Sequence, residues 1–321
     1  LNKGKILITD AVHPLLIDGL QEMGYHCDYL PSIKTDQVLK VIPNYVGLII
    51  NSKIKVDQRM LDLAKTLQFV GRLGSGMEIV DLDYARKMDV AILRSPEGNR
   101  NAVAEHAVGM LLALNNKLLT ADLEVRSFNW DREANRGFEL EGKTIGIIGF
   151  GNTGRAFASK FAGWDVQVLA YDKYKQNYCN DIPFVKEVEM QKIRDEADVL
   201  SLHIPLTTET KHLVGNGFVE KFSKPFVLIN TSRGPIVDTE YLIKMLKSNK
   251  LKGACLDVFE NEKTATYTDA ERIIYKELFQ IKNTVLSPHV AGWTHESKQK
   301  MAQTLLKKIK SVLKVDLYNK Y

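Results

Sequence analysis

Short apolar runs alternate with longer amphipathic stretches through the first hundred residues. Lys5 to Thr9 predicts a strand and Pro14 to Met23 a helix; Val46 to Ile50 predicts a second strand, followed by an amphipathic stretch from Asp57 to Lys65. Phe69 to Leu73 and Val90 to Leu93 read as a third and a fourth strand. Strands separated by helices of roughly 10–15 residues imply βαβ units and a parallel sheet. Residues 101–119 break the rhythm, because Ala102 to Leu114 is apolar on most sides. Such a helix is expected to be buried, between two domains or two subunits. The polar segment from Asp122 to Arg136, with Phe128 and Trp130, reads either as an arm that docks on a partner chain or as a long surface loop. Alternation then resumes at Thr144–Ile148, Val166–Ala170, Val199–Leu202, Phe226–Ile229 and Ala254–Val258, with Val285-Leu286 as a short sixth. The expected fold class is α/β, with two doubly wound parallel-sheet domains and the second beginning near residue 100.

A chain of 321 residues can hold two such cores. With 45% hydrophobic and 26% charged residues it falls in the globular range, which excludes a disordered chain. No apolar stretch approaches the ~18 residues of a membrane span, and Ile6-Leu7-Ile8 is too short for a signal-peptide core. Cys27, Cys179 and Cys255 are scattered without a CxxC pair, which excludes a disulfide scaffold and a structural zinc cluster and suits a reducing compartment. A cytoplasmic protein without membrane contact or resident metal is expected. The net charge is +5, and the densest basic cluster is Lys298, Lys300, Lys307, Lys308, Lys310 and Lys314. Met301, Leu305, Ile309 and Val312 recur among these lysines at helical spacing, with no interleaved aromatic. The cluster is therefore read as the wet face of a helix and not as a nucleic-acid surface.

Gly149-Phe150-Gly151-Asn152-Thr153-Gly154 has the form GxGxxG. The pattern is weak alone, but here it follows an apolar strand and opens a helical stretch from Arg155 to Phe161. Asp172 ends the next strand eighteen positions after the last glycine. This is the dinucleotide fingerprint: Gly149 for the tight turn, Gly151 for backbone approach to a pyrophosphate, Gly154 for close helix–sheet packing. The helix N-terminus offers free N–H groups to the phosphates. Asp172 would accept bonds from the ribose hydroxyls and repel a 2′-phosphate, favouring NAD over NADP, while Lys173 and Lys175 stand close enough in sequence to offset that repulsion.

Three more segments follow predicted strands, where ligands of open α/β sheets bind: Asn230-Thr231-Ser232-Arg233-Gly234, Leu256 to Glu262, and Ser287-Pro288-His289-Val290-Ala291-Gly292. With the fingerprint, Gly74-Ser75-Gly76 and Pro96-Glu97-Gly98-Asn99, these resemble the D-2-hydroxyacid dehydrogenase family, which contains phosphoglycerate dehydrogenase and the hydroxypyruvate/glyoxylate reductases. The resemblance covers essentially the whole chain. It implies a flavodoxin-like substrate domain (1–100 plus 293–321) and a Rossmann NAD-binding domain (101–292), with a dimerisation helix and arm at about 101–140. It also implies hydride exchange between NAD and a small 2-keto acid, in a homodimer with no nucleic-acid partner. Closure about residues 98–101 and 291–294 would then exclude water.

The chemistry needs a cation for the carboxylate and carbonyl, which Arg233 suits with its planar fork. It needs a proton donor near neutrality, which His289 suits, and an acid to support that ring, for which Glu262 is preferred to Glu260. The resemblance puts the Ser75 and Gly76 amides on the substrate carboxylate. It puts Thr231 and Asp257 against the nicotinamide, and Asn152, Thr153, Ile204 and Gly292 along the dinucleotide. Of the seven histidines only His289 has the Ser-Pro-His-x-Ala-Gly setting; His106 is expected to be packed, and His203 to border the cofactor. Two departures from the family pattern stand out. Lys263 replaces the usual proline, ahead of a long stretch from Thr264 to Lys282. Asn51-Ser52-Lys53 stands where phosphoglycerate dehydrogenases commonly carry Arg-Ser, so that Lys53 or Arg72 would have to hold a substrate phosphate. Phosphoglycerate, and with it serine biosynthesis, ranks first on overall similarity, with glyoxylate/hydroxypyruvate second and an NAD(H)-sensing corepressor-like protein as the non-enzymatic alternative.

Overall fold

The structure, a computed structural model, describes residues 3–318. The chain forms two compact units, residues 1–100 with 293–321 and residues 101–292. In the first, β1 (Lys5–Ile8), α1 (Pro14–Glu22), β2 (His26–Tyr29), α2 (Thr35–Val41), β3 (Gly47–Ile50), α3 (Gln58–Leu63), β4 (Phe69–Arg72), α4 (Leu82–Lys87) and β5 (Ala91–Arg94) alternate. All five strands are parallel in the order β2-β1-β3-β4-β5, the flavodoxin-like winding. The period of two along a strand sends side chains to opposite faces. Leu7, Leu48, Ile50 and Val70 pack with Val38, Met60 and Ala85 on one side; Ile6, Ile8, Ile49 and Phe69 pack with Leu16 and Leu20 on the other.

α5 (Pro96–Asn115) and α6 (Leu118–Arg126) lead into the second unit. There β6 (Thr144–Ile148), α7 (Asn152–Ser159), β7 (Gln167–Tyr171), β8 (Val185–Glu187), α8 (Met190–Glu196), β9 (Val199–Leu202), β10 (Phe226–Asn230), α9 (Thr239–Lys247), β11 (Leu251–Leu256), α10 (Asp269–Phe279) and β12 (Thr284–Leu286) follow. The parallel order β12-β11-β10-β9-β6-β7-β8 is the Rossmann winding extended by one strand. Ala104, Ala107, Met110 and Leu111 of α5 pack on Ile145, Ile147, Ile229 and Cys255, so its most apolar stripe lies on this sheet. The segment read as an arm or loop begins as a helix, α6, with no buried residue. α11 (His295–Tyr318) then packs within the first unit on α1, β4 and β5. It buries Ala302, Leu305 and Ile309, while Lys308 on its wet face pairs with Glu97 at 2.8 Å. The side chain of Lys314, the last of the basic cluster, lies outside the described residues. Among the described residues no helix is long and apolar enough to cross a membrane.

Candidate active site

The glycine turn stands at the C-terminal end of β6. Gly149 has φ +91°, and a Cβ there would run into the carbonyl of His203, so the turn requires glycine. Its N–H donates to the Tyr171 carbonyl at 2.8 Å, and Gly154 brings α7 against the Gly149 carbonyl. Gly151 is the N-cap of α7, has no side-chain capping bond, and faces open space where a Cβ would stand. Asn152 and Thr153 open the helix half-buried. An uncapped helix end beside a side-chain-free cradle fits a pyrophosphate. Two buried polar atoms nearby in the topology, Thr231 Oγ1 after β10 and His203 Nδ1 after β9, have no partner among the described residues, which fits a polar ligand at this edge of the sheet. Asp172 accepts from the Phe150 amide (Oδ2, 2.9 Å) and the Tyr174 amide (Oδ1, 3.1 Å). Lys173 pairs with Glu209, and Lys175 donates to the Phe150 carbonyl at 2.9 Å. Both lysines beside the acid are therefore engaged. Ile204 lies half-buried against Gly149.

The catalytic end is assembled from the loops after β10, β11 and β12. Asn230 folds the first loop, accepting from Ser232 N (3.1 Å) and donating to the Arg233 carbonyl (3.0 Å). Gly234 has no space for a Cβ, which would overlap the Phe259 carbonyl group; this close approach brings the β10 and β11 loops together. Glu262 lies on the β11 loop, and its Oε2 stands 2.7 Å from His289 Nδ1. Burial works against its charge, but the His289 ring, the Phe259 amide and the Arg233 guanidinium outweigh it and hold the carboxyl below the usual glutamate range. Glu260 is occupied elsewhere, accepting from Thr239 N (2.9 Å) and Thr239 Oγ1 (2.7 Å) and standing 2.7 Å from His212 Nε2. His289 has φ +55°, unusual for a non-glycine residue, and its N–H donates to the Asp257 carbonyl at 2.7 Å. The Asp257 side chain is fully buried, accepting from Ser287 Oγ (2.6 Å) and the amides of Val290 and Ala291 (both 2.9 Å). Its evident work is to hold this turn, just before Gly292.

The Thr264–Lys282 stretch is ordered by α10. Thr268 and Glu271 form a reciprocal capping box. From α10 the Tyr275 hydroxyl accepts from Asn261 N (2.9 Å) and Glu271 accepts from Asn261 Nδ2 (3.0 Å), fixing the residue next to Glu262. In the first unit, Ser75 Oγ donates to Asn99 Oδ1 at 3.4 Å, and Gly76 follows it in the loop after β4. Asn51 N donates to Asp10 Oδ2, the Asn51 carbonyl accepts from Arg72 Nε at 3.1 Å, and Lys53 Nζ donates to the Pro31 carbonyl.

A sequence profile described as "D-isomer specific 2-hydroxyacid dehydrogenase, NAD binding domain" matches residues 108–291. The chain is 30% identical over 310 residues to D-3-phosphoglycerate dehydrogenase of Archaeoglobus fulgidus, covering 97% of this chain but only 57% of that relative. It is 34% identical over 295 residues to glyoxylate reductase of Thermofilum pendens, covering 90% of this chain and 84% of the relative. Among solved structures it is similar to apo D-lactate dehydrogenase of Escherichia coli, with 27% identity, a TM-score of 0.78 and 97% of both chains covered. The profile spans more than half of the sequence, and the glycine turn and the histidine–carboxylate pair lie within its bounds; the chain belongs to the D-isomer specific 2-hydroxyacid dehydrogenase family.

Proposed function

We propose that this protein transfers a hydride between NAD and a D-2-hydroxy acid/2-keto acid pair. The observation that carries the reading is the 2.7 Å contact between Glu262 and His289 Nδ1, which leaves Nε2 of the ring for a substrate oxygen. NAD, when bound, supplies or accepts the hydride. The protein holds the acid through Arg233, with Ser75 and Gly76 assigned to its carboxylate, polarises its carbonyl through the same guanidinium, and moves one proton through His289. Glu262, kept ionised by its neighbours, orients the ring and offsets charge on an imidazolium. The dinucleotide is assigned to Gly149, Gly151, Asn152, Thr153, Gly154, Asp172, Ile204, Thr231 and Gly292, whereas Asp257, expected against the nicotinamide, is fully buried and engaged within the turn.

Of the two substrate pairs in contention, the unphosphorylated one, glyoxylate or hydroxypyruvate, has the better structural support. Arg72 is buried and donates Nε to a backbone carbonyl, Lys53 donates to another, and Asn51 is neutral. This reverses the ranking by sequence similarity. The phosphoglycerate reading rests on the Glu97–His106 segment and requires Lys53 to swing free of Pro31, at a cost of only about 1 kcal/mol. The test is NADH oxidation with glyoxylate, hydroxypyruvate and phosphohydroxypyruvate side by side. A higher kcat/KM for either unphosphorylated acid supports our ordering, and a clear preference for phosphohydroxypyruvate reverses it. Tight NADH binding without turnover of any 2-keto acid would leave the corepressor-like reading. We also propose a homodimer, supported by apolar side chains exposed on and after α6.

A further inference from the structure

We infer that His106 is a positioning residue for the turn that carries His289, acting through Ser287 and Asp257. The inference rests on the reading of His289 as proton donor. His106 lies on α5, and its Nε2 stands 2.8 Å from Ser287 Oγ and 3.6 Å from Asp257 Oδ1. Donor logic orders the chain. The Asp257 carboxylate can only accept, so the single Ser287 hydroxyl proton points to its Oδ1, 2.6 Å away. Ser287 Oγ must then accept from His106, which places a proton on Nε2. The order of donation runs from His106 through Ser287 to Asp257.

Asp257 is fully buried, and such a carboxylate is tolerated only where hydrogen bonds replace its hydration. Its partners are the Ser287 hydroxyl and the N–H groups of Val290 and Ala291, while its own carbonyl accepts from His289 N. Four bonds to one residue thus pin a turn whose central histidine has φ +55°. Ser287 has an alternative acceptor in Met110 Sδ, 3.8 Å away; the His106 N–H holds the hydroxyl on Asp257 instead. Removing His106 frees that rotamer, weakens the compensation of the buried charge and loosens the turn. A small misplacement of a reacting group is enough to slow chemistry about 10–100-fold.

The experiment compares His106→Leu, His106→Gln, Ser287→Ala and the His106→Leu/Ser287→Ala double variant in the full chain. Expected for His106→Leu are a kcat lower by about 10–100-fold, an NADH Kd within about threefold, and faster amide exchange at Val290 and Ala291. His106→Gln, which keeps an N–H donor, should recover most of both, and the double variant should be no slower than Ser287→Ala, because the two residues act in series. Unchanged kcat and amide protection in a folded His106→Leu, or losses that simply add, would overturn the inference. Should His106→Leu not fold, Ser287→Ala and His106→Gln decide by the same two readouts. If the wild type turns over no 2-keto acid, the proposed activity fails, and amide exchange still decides the role of His106.

Discussion

His203 shows how one residue can link the cofactor edge to acid stability. Its ring is packed with Nδ1 shut off from solvent, its Nε2 stands 2.9 Å from Ser201 Oγ, and desolvation pulls its pKa from 6.5 down to about 3. The folded protein therefore holds it neutral, while the unfolded chain takes up a proton near 6.5. Between those values the unfolded state binds more protons, so this residue's contribution is complete above about pH 6.5 and declines as the pH falls toward 3. Thermal melts at pH 7 and pH 5 should show a larger loss for the wild type than for His203→Gln; equal slopes would remove His203 from the acid response. The reacting residues give separate signatures. His289→Asn should lower kcat by on the order of 10²–10⁴ with NADH binding retained, checked by steady-state kinetics beside fluorescence titration. Arg233→Gln should raise KM for the keto acid and also lower kcat, since one guanidinium is assigned to both binding and polarisation. The residues of this pair of loops could be named from sequence because each sits in a short motif after a buried strand. The work of Glu260 and His106 could not: their partners Thr239 and Ser287 lie 21 and 181 residues away, and only the fold brings them together.

At the scale of elements, apolar runs identified the strands that are buried on both faces. They missed β2 and β8, two of the four edge strands, whose sequences His-Cys-Asp-Tyr and Val-Lys-Glu carry too few buried positions to form a run. They also placed the β11 strand late, at Ala254–Val258, because the exposed Lys252 interrupts its apolar pattern; it spans Leu251–Leu256. The stretch after Lys263 contains α10, whose start is legible afterwards in Thr268 and Glu271, a capping box three residues apart. Thr268→Ala should cost about 1 kcal/mol of stability, seen as a lower Tm, with kcat little changed because Tyr275 still holds Asn261. Gly234→Ala is a different kind of change. Its Cβ would overlap the Phe259 backbone, which cannot rotate away as a side chain can. The β10 and β11 loops must then separate, at a cost on the order of 1–3 kcal/mol, and Arg233 moves from Glu262. A variant that loses stability but keeps full kcat/KM would show that this close approach does not position the guanidinium.

At the scale of the whole molecule, α6 is hard to account for in one copy of the chain. It has nine residues, none of them buried, whereas isolated helices shorter than about 12–15 residues are marginal in water and are usually held by a packed face. Leu123 is 66% exposed on it, and Phe128, Trp130 and Phe138 beyond it are 101%, 78% and 74% exposed. Single exposed apolar residues need no explanation, but a run of large ones in neighbouring segments is the usual mark of an interface. A second copy of the chain would bury this surface and supply α6 with the face it lacks. Leu123→Glu combined with Trp130→Ser should therefore convert a dimer to a monomer in light scattering at micromolar concentration. Far-UV circular dichroism should show a small loss of helix, since α6 alone depends on the contact, and the Tm should become less dependent on protein concentration than in the wild type. A wild-type chain that is already monomeric at those concentrations, with its α6 amides protected from exchange, would mean that this helix is stable without a partner.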